Sequence, residues 1–152
     1  MLLAEALIAR ADMQKQLAQV KARLAQNVKV QEGDQPAESP QVLLGQFDRV
    51  SAELTHLIQR INRTNSGTAF SAEKSLADVL ADRDALKSRH TMLRSIAQEA
   101  IVTHTRFTRS EVRFTSTVDV AALQSQADDL ARQHRALDSA IQAKNWSTEL
   151  LN

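Results

Sequence analysis

The sequence predicts an all-α protein: a long-helix antiparallel bundle of about four helices, with one small extended element near residues 106–118. Three observations carry that expectation. With 3 Gly, 2 Pro, no Tyr and 3% aromatic residues, the composition is that of long helices and lacks what glycine-turned sheets and nucleotide-binding α/β folds require. Apolar residues recur at steps of three and four through four long stretches. That period breaks to two at a single place, where β-branched residues collect.

From Leu3 to Asn27 the row Leu3, Ala6, Met13, Leu17, Val20 and Leu24 predicts a first helix over about 2–27, with Arg10 and Asn27 completing the pattern. The opening MLLAEALIAR reads as a helix start, because Glu5 interrupts it and no basic segment precedes it. Residues 28–39 (VKVQEGDQPAES) lose the period and hold Gly33 and Pro36, which makes them a connector that starts extended at Val28 and Val30. Ser39 before Pro40 fits an N-cap with proline at the first helical position, where its missing N–H is no loss.

The second helix, about 40–63, has the cleanest seam: Leu43, Phe47, Val50, Leu54, Leu57 and Ile61, with Leu44 and Ile58 widening it. NRTNSG (62–67) supplies its stop signal. The third, about 72–103, runs on Leu76, Val79, Arg83, Leu86, His90, Leu93, Ala97 and Ala100. Over 106–118, Val112, Phe114 and Val118 alternate with polar residues, and the near-repeat RFT at 106–108 and 113–115 suits two arms of a ribbon. The last helix, about 120–145, uses Val120, Leu123, Ala127, Leu130, His134, Leu137 and Ile141, ends at Asn145 and hands over to a tail at Trp146. At 152 residues the chain reads as one helical domain, 1–152.

Charge and cysteine content exclude whole classes of function. Lys+Arg 19 against Asp+Glu 18 gives a net charge of +1, which forces neither a nucleic-acid surface nor a polyanionic partner, and we expect no nucleic-acid partner. Cys 0 removes thiol catalysis, iron–sulfur clusters and cysteine-based zinc sites. No stretch approaches the roughly 18 to 20 apolar residues of a membrane span, so a cytoplasmic protein without a transmembrane segment is expected. Neither a phosphate loop, a nucleophile elbow nor a metalloprotease helix is present, and we expect no catalytic residues, no cofactor and no metal.

The polar exceptions in the seams are the candidate site residues. Arg10 and Arg83 have no acidic neighbour three or four residues away on their own helices. Each must therefore meet a carboxylate elsewhere, with Asp12, Glu53, Asp82 and Asp84 as candidates, or hold an anionic ligand. His134 has Asp138 one turn on, a spacing that can orient an imidazole, whereas His90 has no such acid. Glu53 and His56 match one half of a di-metal helix motif, but the second half is missing and both flank the seam. Arg106, Phe107, Arg109, Arg113 and Phe114 form a basic-aromatic cluster of a kind that can hold phosphate or single-stranded nucleic acid, although Glu111 within it and the net charge of +1 favour a solvated or inter-subunit ribbon.

LAEALIARADMQKQL (3–17), NVKVQEGDQPAE (27–38), LIQRINRTN (57–65), LADVLADRDAL (76–86) and RSEVRFTSTVDVAALQSQADDLARQHRALDSAIQAKNWSTEL (109–150) together resemble an uncharacterised bacterial family of small helical proteins, sometimes labelled septicolysin. The resemblance implies a small helical protein, and its label implies a pore-forming, thiol-activated cytolysin. The chain departs from such cytolysins in having no cysteine, one tryptophan and too little β patterning for a membrane barrel. Three readings follow: a homo-oligomeric helical module without catalysis, a membrane-acting cytolysin, and a binding protein or enzyme for a small anionic ligand that uses the seam polar residues. Thin helical bundles bury leftover apolar surface against another copy, which favours the first.

Overall fold

A computed structural model of the chain describes residues 1–102 and 114–152. Its elements are α1 (Leu3–Asn27), α2 (Pro40–Gly67), α3 (Leu76–Glu99) and α4 (Val120–Ser147), in the order expected of an all-α bundle. The seam positions named above are buried or half-buried, so the three-four period identifies the inward stripe; Leu44, expected to widen the α2 seam, is instead exposed, and Ala100 lies just past the end of α3. Residues 114–118 form no strand, and the rest of the expected ribbon lies outside the described residues.

The contacts divide the chain into two compact units, Met1–Ala77 with Ala143–Asn152, and Asp78–Gln142. In the first unit α1 packs on α2. Leu43, Val50, Leu54, Leu57 and Ile61 of α2 are buried, each contributing about 1.5 to 3 kcal/mol by leaving water. The pair is antiparallel: Leu3 at the start of α1 and Thr64 near the end of α2 meet the same short segment, residues 148–151.

Helix ends differ from expectation where a side chain competes with composition. NRTNSG does not stop α2, which runs on to Gly67. Thr64 is fully buried, and its hydroxyl donates to the Arg60 carbonyl at 2.8 Å and accepts the Leu151 N–H at 2.9 Å, so that stretch is held helical by tertiary contact. Helix α3 starts later and stops earlier than expected. Residues 69–75 instead close a loop, with Phe70 and Ser71 donating to the Lys74 carbonyl and Leu76 to Thr68. Asn145 does not end α4, which continues through Trp146 to Ser147. In the connector, Gly33 at φ +92° occupies a turn closed by the Asp34 N–H on the Gln31 carbonyl, a conformation that excludes most side chains.

In the second unit Leu93 of α3 packs with Ala127 and Leu130 of α4, and Leu86 and Leu123 lie against them. Arg83 reaches Asp138 while Leu93 meets Ala127 and Leu130, so residue numbers run in opposite senses and these two segments are antiparallel.

Candidate functional site

Arg83 is the seam residue whose environment is most fully defined. Its guanidinium donates to the Asp84 carboxylate at 2.8 Å and to Asp138 of α4 at 3.4 Å. Asp84 is among the carboxylates the sequence offers, and Asp138 is one it assigns elsewhere. The spacing of His134 and Asp138 could orient an imidazole; among the described residues Asp138 accepts from Arg83, and no hydrogen bond joins it to His134. The physical reason is reach and charge, since a long, permanently charged guanidinium extends to Asp138 from the facing helix. Arg83 is 25% exposed at its side chain, so this ion pair between α3 and α4 is in partial contact with water.

Arg10 is half-buried, and its Nε is shut off from water without a hydrogen-bond partner among the described residues. Of the expected carboxylates, Asp12 pairs with Lys15, Glu53 is exposed, and Asp84 pairs with Arg83. His90 and His134 are half-buried in their seams. Neither lines the clefts of about 440 Å³ (Asp82, Ala85, Leu86, Arg89, Leu137) and about 230 Å³ (Arg89, Leu93, Gln126, Asp129, Leu130, Gln133) that flank the α3–α4 seam. Glu53 and His56 both face solvent. Of the basic-aromatic cluster, Phe114 is 78% exposed, and Arg106, Phe107, Arg109 and Arg113 lie outside the described residues. Among the described residues no group of three or more potential ligands could hold a metal ion, and no helix is long and apolar enough to cross a membrane.

Sequence reasoning misses the residues that fasten the first unit. Asn27 is buried, donates to the Arg23 carbonyl and accepts the Glu38 N–H, each at 2.9 Å, which ties the connector back to α1. Arg23 grips the Glu38 carboxylate through two nitrogens, and that hydrogen bonding raises the arginine's pKa and lowers the carboxyl's. Arg60 and Arg63 donate to the backbone carbonyls of Leu151 and Asn152. Period alone cannot reveal the contacts of Arg23, Asn27, Arg60 and Arg63 with Glu38 and the last residues, because these span loops of unknown path. A second signal was open to reading: Met92 and Ile96 share a face of α3 outside its seam, and both are exposed.

The profile of a Family of unknown function (DUF6847) matches residues 10–150. A crystal structure of a functionally unknown conserved protein from Corynebacterium diphtheriae is similar at 40% identity, covering 99% of each chain with a TM-score of 0.92. A search of curated proteins finds no match. The septicolysin label finds no support in either similarity, because both point to proteins of unknown function.

Proposed function

The chain belongs to this family of unknown function, and we propose that it acts as a cytoplasmic helical module that joins copies of itself and catalyses no reaction. One observation carries the reading: large apolar side chains stay exposed on helices whose seams are already filled. Met92 is 50% and Ile96 44% exposed on α3, although Leu93 and Ala97 of the same helix are buried. A helix with one buried stripe and a second apolar row in water gains free energy when another surface covers that row. Sedimentation of the whole chain at micromolar concentration should give a mass that is a multiple of 16.8 kDa. A single species of 16.8 kDa across a wide concentration range would refute the proposal.

The buried, unbonded Arg10 Nε favours a second reading, an anion-binding protein. Thermal-shift titration with inorganic phosphate and small carboxylic acids separates the two. Ligand-dependent stabilisation that Arg10→Met abolishes without affecting assembly supports the anion site. A flat titration removes it.

A further inference from the structure

Arg89, Met92, Ile96 and Glu99 follow one another at steps of three, four and three, so they form a single row along the exposed side of α3. The two inner members are apolar and open to water, and the two outer ones are exposed charges of opposite sign. Neither charge has an opposite charge three or four residues away on the described helix. Among the described residues neither makes a hydrogen bond or ion pair. Asp129, beside Arg89 in the same cleft, is taken by Arg132. The row thus has an apolar centre and charged ends that are open to water and unpaired among the described residues.

Its spacing is self-complementary in one orientation. Met92 and Ile96 lie equally far from position 94, and so do Arg89 and Glu99. Two α3 helices laid antiparallel about a twofold axis at that position therefore set Met92 against Ile96 of the second copy, and Arg89 against Glu99 of the second copy, twice over. A parallel arrangement in register would oppose like charges. Isologous contacts of this kind close on themselves and stop at two chains.

We propose that this row of α3 is the twofold contact through which two copies of the chain associate, with Met92 and Ile96 as its apolar centre and the Arg89–Glu99 pairs fixing its direction. The assignment rests on the reading that the chain self-associates, and it adds which surface does so and in which sense.

Charge reversal in mixed samples tests it on the full chain. Arg89→Glu places like charges opposite each other at both ends of the contact, and Glu99→Arg does the same with the opposite sign. Each variant alone should dimerise about tenfold or more weakly than the parent, and an equimolar mixture should recover association, because the two copies complement each other. The absence of cysteine permits a second, independent measurement. Under oxidising conditions, copies carrying Met92→Cys mixed with copies carrying Ile96→Cys should form a covalent heterodimer faster than either alone, since only the mixed pair puts two thiols directly opposite. An oligomer that ignores both charge reversals and shows no preference for the mixed disulfide overturns this surface and leaves self-association standing. A parent chain that is monomeric throughout overturns both.

Discussion

The unit built on α1 and α2 and the unit spanning Asp78–Gln142 are both made of antiparallel helices, yet their described contacts differ in kind. The first has a long apolar seam closed at one end by the buried Thr64 hydroxyl and segment 148–151, and at the other by Asn27 and the Arg23–Glu38 pair. In the second, the described core of Leu93, Ala127 and Leu130 is joined by one ion pair that crosses between helices in partial contact with water, Arg83–Asp138. Polar groups buried at helix ends specify a length and a register, whereas a short leucine seam specifies only that two helices touch. The first unit therefore reads as scaffold. The second carries the exposed Met92 and Ile96 of α3.

Truncating a buried seam residue in each unit tests that contrast with the largest expected effects. Ile61→Ala in α2 should cost about 3 to 5 kcal/mol and Leu130→Ala in α4 about 2 to 4, because Ile61 is 1% exposed and Leu130 8%. Chemical denaturation followed by circular dichroism measures both. Equal or reversed costs would break the distinction.

Thr64→Val sharpens it further, since shape is kept and only the hydroxyl is lost. The Leu151 N–H then loses its acceptor, at a cost of about 1 to 3 kcal/mol. Hydrogen exchange should also speed up at Leu150 and Leu3, whose N–H groups bond across the same junction to Met1 and Thr148.

The comparison also marks how far the sequence could be read. Helix number, order and inward stripes were legible because burial repeats along a helix with its own period. Ends were not: NRTNSG carries turn-forming residues, and only the path of segment 148–151 explains why α2 passes through it to Gly67. The same limit applies to Asp138, whose spacing from His134 invites a local pair until the facing helix brings Arg83 within reach. Two dipolar or charged groups on one helix can be seen in one line of sequence. Their competitors on another helix cannot.

Arg83→Met tests that competition with a smaller effect. The guanidinium touches water, so the pair with Asp138 should be worth about 0.2 to 1 kcal/mol, well below the cost of breaking a buried ion pair. A double-mutant cycle with Asp138→Asn measures the coupling directly. Coupling near zero would leave the leucine seam as the sole described link between the two helices of the second unit.

The smallest expected effect is local and depends on pH. Hydrogen bonding from Arg23 holds the Glu38 carboxyl below its ordinary range. A carboxyl whose folded pKa is depressed contributes stability that is fully present above its unfolded pKa and is lost as pH falls toward the folded value. The pair is exposed, so global unfolding should scarcely register the loss. The connector should register it, because Glu38 is held to α1 both by its side chain and by its N–H on Asn27. Amide exchange across residues 28–39, corrected for the intrinsic pH dependence of exchange, should accelerate as pH falls below the ordinary carboxylate pKa. Glu38→Gln, which retains the backbone bond to Asn27 but removes the charge, should show the faster rate already at neutral pH and lose that acid-dependent step. Buried Asn27 should keep its own hold on the connector in both cases. If Glu38→Gln leaves the neutral-pH rates unchanged, Asn27 alone fastens that end of the first unit.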